Sequence, residues 1–471
     1  MMEYNNDLNK TDSTYRIFDY LPVIIFISGL LLIVSIVLGL TVSYYYFLFS
    51  ASIFLPFIFF NSTLVTYLYI FSYIYSIPII VISNGQIRID DLLFFILFLV
   101  WGIEKLSNPN SRDKNKFLLI PLQIWVFINA VSIAINVNNL SLHQIIRSLY
   151  YFSRLLEYTM VYFMLYDLIK TIQIKINIYK IIWLITIGIC AYGIYEYFIK
   201  GEITITSTLS PDHAHIGAFL SFTFFILLGY MFYMRSVWWK AAVFAAMLVS
   251  LYVLFLSNSR TGIIAIFLGI FISLFTIKRY VAVVLCIALI GIGILGTVEF
   301  NVFDLLQQYQ LGNAKFYNLE SDISLLGRYY IWYVTYEFFK QHPIFLLTGI
   351  GLGASREIIG PYTQIAGVSV SGAHNQYIYY LTELGIIGFL YFMFLLYRLL
   401  SYSYKKYKSN VHKERWLYWG YFYGVITLIF NGITQDTISV QLHFNNFYGY
   451  FMIVTALVFK ELNDSQSEAK L

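Results

Sequence analysis

The sequence predicts an all-α fold: a polytopic membrane helix bundle of 12–14 transmembrane helices with one large extracytoplasmic loop. Three observations predict it. Of the 471 residues, 59% are hydrophobic and 12% charged, where a soluble domain carries about 25% charge. Runs of about 20 apolar residues recur along nearly the whole chain, each long enough to cross hydrocarbon as a helix. Lysine and arginine gather in alternate loops, as orientation in a bilayer requires.

Candidate spans fall at 21–41, 44–60, 64–82, 89–104, 117–136, 150–168, 180–199, 214–233, 237–256, 261–277, 280–297, 377–400, 416–433 and 443–459. The first three are closely spaced, and one of them reads equally as re-entrant. Loops around Lys105 to Lys116, Lys170 to Lys180, Arg235 and Lys240, Lys278 and Arg279, and Lys405 to Arg415 hold sixteen Lys and Arg. The intervening short loops hold four: Arg88, Arg147, Lys200 and Arg260. The first set is cytoplasmic by the positive-inside rule, and both termini then face the cytoplasm. The polar, acidic first 20 residues are no cleavable leader, so the first span is expected to be the uncleaved targeting element. The net charge of +5 is topological in this light, and no nucleic-acid partner is expected. Cys190 and Cys286 lie in apolar runs and form neither a zinc site nor a disulfide framework.

Residues 1–471 read as one membrane domain, with residues 298–376 as a large outer loop of roughly 80 residues. Long loops usually carry function. From Leu325 to Phe345 apolar and aromatic residues mix with Arg328, Glu337 and Lys340, as in an amphipathic helix at a membrane surface. A glycine-rich turn, Gly349-Ile350-Gly351-Leu352-Gly353, follows; it has no P-loop Lys-Ser/Thr and is a weak signal alone.

Polar groups near spans are costly and mark function. Arg147, Arg154 and Glu157, His213 and His215, Arg260, Arg328, Arg356 and His374 all fall on the outer face or dip in from it. Guanidinium groups fit phosphate bidentately, so outer arginines point to a pyrophosphate. No Asp-x-Asp cluster or His/Cys set is evident on that side, so no metal and no cofactor are expected. His374, in Ser371-Gly372-Ala373-His374-Asn375, is the candidate base, since an unperturbed imidazole titrates near pH 6.5. Plainer readings stand beside these. Arg260 can snorkel, Arg328 can be the wet face of a helix, and Arg147 and Arg154 can be anchors, with Arg154 and Glu157 an i,i+3 pair. His213 and His215 fit a loop and a cap, and His374 an interfacial residue.

These residues resemble a family. His374-Asn375, nine residues, Gly385, two residues and Gly388 match the HN-x9-G-x-x-G signature of O-antigen ligases and related polymerases. Ser257-Asn258-Ser259-Arg260-Thr261-Gly262 looks like that family's Ser-x-Ser-Arg element. Gly327-Arg328, Trp332, His342-Pro343 and Gly349 to Gly353 look like its run before the histidine, and Asp90-Asp91-Leu92-Leu93 resembles its early span start. The resemblance implies a metal-independent, inverting glycosyltransferase of the inner (plasma) membrane. Its donor is a glycan on undecaprenyl pyrophosphate, its acceptor a lipid-linked glycan, with membrane lipid and a chain-length regulator as further partners. It implies His374 as base and Arg260 and Arg328 as pyrophosphate ligands. Arg147 and Arg154 match more loosely, with Asn375, Glu157 and His215 in support. The span number favours a polymerase of glycan repeat units; the alternative is a ligase attaching the glycan to lipid A core or another acceptor. A flippase or other transporter is a more distant alternative, because the polar candidates gather at one face.

Reporter fusions after Lys116, Lys180, Arg279 and Lys408 are expected to read cytoplasmic, and fusions near Tyr317 or Tyr362 outside. A cytoplasmic signal from the 298–376 loop would overturn this topology.

Overall fold

In a computed structural model the described residues are 61–72, 78–82, 85–107, 117–201, 205, 213–257, 259–277, 320–359, 364–365, 368–369, 374–409, 413–439 and 447–462. The spans expected at 21–41, 44–60 and 280–297, and Cys286, lie outside them.

The first described helix, α1, is Ser62–Ser72. The span expected at 64–82 does not continue past it. An antiparallel hairpin follows instead, β1 Pro78–Ile82 and β2 Gly85–Arg88. The local chemistry accounts for this. Pro78 has no N–H to continue a helix, and Ile79 to Ile82 are β-branched. The chain then runs directly into α2, Ile89–Ser107.

Next come α3, Leu119–Asn136, with a 3-10 turn at Val137–Asn139, and α4, Leu142–Leu168. A capping box starts α4: Ser141 Oγ accepts from the Gln144 N–H at 3.3 Å, and Gln144 Oε1 accepts from the Ser141 N–H at 2.7 Å. The helix therefore begins before the span expected at 150, and Arg147 sits in helix, not loop. Similarly α5, Ile172–Phe198, is capped by Thr171, whose Oγ1 accepts from the Ile174 N–H at 3.3 Å. Lys175 and Lys180 are accordingly helical, and Lys175 is buried. The helices α6 His213–Tyr233, α7 Val237–Leu256 and α8 Arg260–Ile277 follow the expected spans closely.

The region 298–376, expected as an outer loop, is folded where it is described. It holds α9 Glu320–Gln341, α10 Ile344–Thr348, α11 Ser355–Ile359 and a small antiparallel ribbon, β3 Gln364–Ile365 with β4 Val368–Ser369. Val334, Phe338 and Phe339 of α9 pack with Leu140, Ile350, Ala354 and Ile359, while Tyr333 and Tyr336 stay exposed. The chain ends with α12 Gln376–Ser409, α13 Arg415–Asn431 and α14 Phe447–Phe459.

Among the described residues helix dominates and the strands are two short ribbons, so the all-α membrane class holds. Among the described residues five helices are long and apolar enough to cross a membrane: Leu119–Asn139, Ile172–Phe198, His215–Tyr233, Val237–Leu256 and Gln376–Ser409. Their outer faces are apolar in the way lipid requires: Ile387, Leu390, Phe394 and Tyr397 form an exposed stripe on α12. Inside, small residues let backbones touch. A Cβ on Gly229 of α6 would lie 2.5 Å from the Trp416 carbonyl oxygen and 3.0 Å from the Gly420 Cα of α13.

The helix α12 is broken at Gly385, whose φ is +67°. The break leaves carbonyls without their intrahelical partners. The glycine-rich turn supplies donors: the Ile350 N–H reaches the Thr382 carbonyl at 2.9 Å and the Gly351 N–H the Glu383 carbonyl at 3.1 Å. Ser132 Oγ of α3 adds a bond to the Glu383 carbonyl at 2.7 Å. A Cβ on Gly385 would stand 2.2 Å from the Leu347 carbonyl oxygen. Gly385→Ala is therefore expected to destabilise by more than the ~1–2 kcal/mol of left-handed backbone alone. Gly102→Ala, where a Cβ meets nothing within 4 Å, should be neutral or stabilising. Thermal unfolding in detergent compares the two.

Candidate functional site

The N-terminus of α12 is built as a cradle. His374 takes a left-handed φ of 44°, and its Nδ1 lies 3.2 Å from Gln435 Oε1. Asn375 caps the helix, its Oδ1 accepting from the Tyr377 and Ile378 N–H groups at 2.9 and 3.0 Å. Its Nδ2 donates to the Ile433 carbonyl at 2.8 Å. The Gln376 N–H donates to the Gly432 carbonyl at 2.8 Å, and the Gln376 side chain accepts from the Ile438 N–H at 2.5 Å. The turn after α13 is thus stapled to the start of α12 on both sides of the imidazole, which is itself half-buried. With Nδ1–H donating to Gln435, Nε2 carries the lone pair and can accept a proton.

The glycine-rich turn is locked to the other end of the same half-helix. Glu383 is buried; its Oε2 accepts from the Gly353 N–H at 2.8 Å and its Oε1 from Ser355 Oγ at 2.7 Å. Asn136 Nδ2 donates to the Gly349 carbonyl at 3.1 Å. Gly353 lies against the Tyr151 ring of α4, 2.0 Å from where a Cβ would stand.

Arg154 and Glu157, paired in sequence by spacing, are in contact at 2.8 Å. They belong to a larger group. Arg154 ion-pairs with both oxygens of Asp91, the Nη2 to Oδ2 contact being 2.7 Å. Its Nε and Nη2 also reach the Tyr150 hydroxyl, at 3.2 and 3.1 Å. Arg88 Nη2 lies 3.0 Å from Asp90 Oδ2. Burial opposes the Arg88 charge, but Tyr158 and Asp90 beside it hold its pKa above the ordinary arginine value. Carboxylate oxygens of Asp90, Asp91 and Glu157 lie within 4.8 Å of one another. This carboxylate group is neither an Asp-x-Asp cluster nor a His/Cys set, and local spacing conceals it because Glu157 comes from a different helix. Two guanidiniums already occupy those oxygens, and the fork of Arg154 is filled by Asp91.

Arg260 opens α8 and is exposed. The Ser257-to-Gly262 element around it is a tight crossing, since a Cβ on Gly262 would stand 2.9 Å from the Gly217 Cα of α6. His215 is buried in the first turn of α6. Arg147 is half-buried on α4, two turns before Arg154. Arg328 lies in α9, Arg356 in α11 and His213 at the start of α6; their side chains are outside the described residues. The candidates thus sit on α4, α6, α8, α9 and the tip of α12. Sequence reasoning missed Gln435, Tyr150 and Glu383 as site residues and treated Arg88 as a loop charge. Glu383 alone carried a usable signal, being an acid inside an apolar run.

Residues 245–393 match the family described as O-Antigen ligase. The match supports the O-antigen polymerase/ligase superfamily for this chain. No curated protein matches the chain. The O-Antigen ligase segment takes in the Gly217-facing element at Arg260, α9 with Arg328, the glycine-rich turn, His374 and both Gly385 and Gly388. The acidic cluster at α2 and α4 lies outside it. The family is one of glycan-transferring enzymes.

Arg154→Met would leave Asp91 and Glu157 without their shared cation. It is expected to cost about 3–5 kcal/mol, the scale for breaking a buried pair. Asp91→Asn in that background should recover part of the loss. Denaturation of the single and double variants in detergent measures both.

Proposed function

We propose that the chain polymerises glycan repeat units at the extracytoplasmic face of the plasma membrane, using a donor linked to undecaprenyl pyrophosphate. The observation that carries the reading is His374. It lies inside the O-Antigen ligase segment and is held by Gln435 while Asn375 caps the helix beneath it. In this reading Nε2 of His374 takes the proton of an acceptor hydroxyl. The freed oxygen attacks the anomeric carbon from the face opposite the leaving group, so the configuration inverts. The bond from that carbon to the phosphate oxygen breaks, and the lipid pyrophosphate leaves with an added negative charge.

Arg260 and Arg328 are the residues we assign to that charge. Arg260 has the exposure for it, at the N-terminus of α8, where helix N–H groups also favour an anion. Arg147 is assigned to the same donor from α4. We assign Arg154 to organising the α2–α4 cluster, because its donors are committed to Asp91, Glu157 and Tyr150. A ligase reaction on a different acceptor is the second reading, favoured by the description of the matched family. The two differ in product: lengthened lipid-linked chains against glycan joined to a new acceptor.

Turnover of purified protein with a lipid-pyrophosphate-linked glycan tests the assignment. His374→Ala should keep donor binding and lose roughly 10²–10⁴-fold in rate, the usual contribution of a general base. His374→Gln should not rescue, since an amide does not take the proton. Arg260→Ala should weaken transition-state stabilisation by a few kcal/mol, about the scale of a lost oxyanion contact, and Lys should rescue only in part. Activity should survive chelators. A stable His374→Ala protein that extends chains at the parent rate would sink the reading.

A further inference from the structure

Beside the α2–α4 cluster lies an open groove, walled by Asp91, Phe94, Tyr150, Ser153, Glu157 and Met160. Its floor is incomplete. Glu157 is only 8% exposed; one carboxylate oxygen, Oε2, accepts from Arg154 at 2.8 Å, while the other, Oε1, is buried without a hydrogen-bond partner. A buried acceptor left unmade is costly, so the groove lacks a donor that a ligand can bring.

The chemistry of the walls narrows that ligand. A phosphate would meet the carboxylates of Asp91 and Glu157, which already hold the fork of Arg154 that also lines the groove, and is repelled. A divalent ion would have to sit among the carboxylate oxygens that Arg154 and Arg88 already hold, against two positive charges. What fits is an uncharged group that donates hydrogen bonds and also covers apolar surface, since Phe94 and Met160 line the same space as Glu157. A sugar ring has both properties: hydroxyls at its rim and C–H groups on its faces.

We propose that this groove is a sugar subsite, with Glu157 Oε1 accepting a hydrogen bond from a hydroxyl of the lipid-linked glycan. It rests on the reading of the chain as a glycan-transferring enzyme and adds a place where the glycan, as distinct from its pyrophosphate, is held. The Arg154 ion pairs serve this subsite by fixing the Glu157 carboxylate so that Oε2 is occupied and Oε1 is left as the acceptor.

The test compares two probes on the purified full chain: bare undecaprenyl pyrophosphate, and the lipid-linked glycan extracted from the source cells. Glu157→Ala should weaken binding of the glycan-bearing probe about tenfold and leave the bare lipid unchanged. Glu157→Gln, which keeps an acceptor oxygen, should fall between. Met160→Trp fills the groove without touching the charges and should also weaken only the glycan-bearing probe. It stands in if Glu157→Ala proves unfolded by thermal denaturation. Equal weakening of both probes, or no change in a folded Glu157→Ala and a folded Met160→Trp, would overturn the subsite. So would a glycan effect that appears only when calcium or magnesium is added, which would make this a cation site. If the parent protein neither bound nor transferred the glycan-bearing probe, the glycan-transfer reading itself would fail and the subsite with it; binding by the parent with unaffected variants would remove the subsite alone.

Discussion

A membrane-spanning helix can be interrupted only where protein supplies the hydrogen bonds it loses, and the interruption of α12 at Gly385 is that kind of constraint. The carbonyls of Thr382 and Glu383 accept from the N–H groups of Ile350 and Gly351, and Ser132 caps the second of them. The segment between α8 and α12 is therefore not an appendage. It completes the backbone of α12, and in doing so it ties α3 through Ser132 and Asn136 and α4 through Tyr151 to one point. The half-helix from Gln376 to Leu384 is about nine residues, or ~13 Å at 1.5 Å per residue. One end is held by the turn after α13 and the other by the glycine-rich turn. His374 projects from a short rod pinned at both ends, which is the rigidity its proposed role as proton acceptor requires.

This gives a physical meaning to the spacing in HN-x9-G-x-x-G. The asparagine is a helix cap, the first glycine is the break, and the nine intervening residues are the rod between them. Glu383 sits at the far end of that rod and grips Gly353 and Ser355. In the glycine-rich turn the N–H groups of Ile350, Gly351 and Gly353 are committed to α12, and that of Gly349 to the Phe345 carbonyl.

Much of the fold was legible because hydrophobic run length reports membrane helices directly: α3, α6, α7, α8, α13 and α14 lie within a few residues of where apolar runs place them. What was not legible is local chemistry overruled by run length, or contacts between distant segments. The run from 64 to 82 is largely apolar, yet from Pro78 its β-branched end pairs as a hairpin strand. Ser141 and Thr171 start α4 and α5 earlier than hydrophobicity does, because a cap is set by one side chain and not by an average. In the candidate site, the place of His374 just before α12 was legible, while its contact with Gln435 and the Asp91–Arg154 pair were not. Their partners are far away in sequence, and an aspartate at a span start looks the same whether it faces water or a guanidinium.

Two groups of buried charges differ in type. At the end where α2 begins, arginines meet carboxylates in a cluster of planar, multidentate contacts. At the end where α5 begins, a lysine does the work: buried Lys175 donates to the Lys460 carbonyl at 2.9 Å and lies 3.6 Å from Glu414. The lysine joins the start of α5, the start of α13 and the residue after α14, and its point charge needs no fixed plane. The arginine cluster joins β2, α2 and α4 and imposes a plane, because guanidinium and carboxylate meet edge to edge. A buried ion pair adds little net stability compared with apolar packing of the same volume. The geometric demand of the arginines is then the better account of why one end carries them: that end holds carboxylates in defined orientations next to an open groove, and the lysine end only closes the bundle.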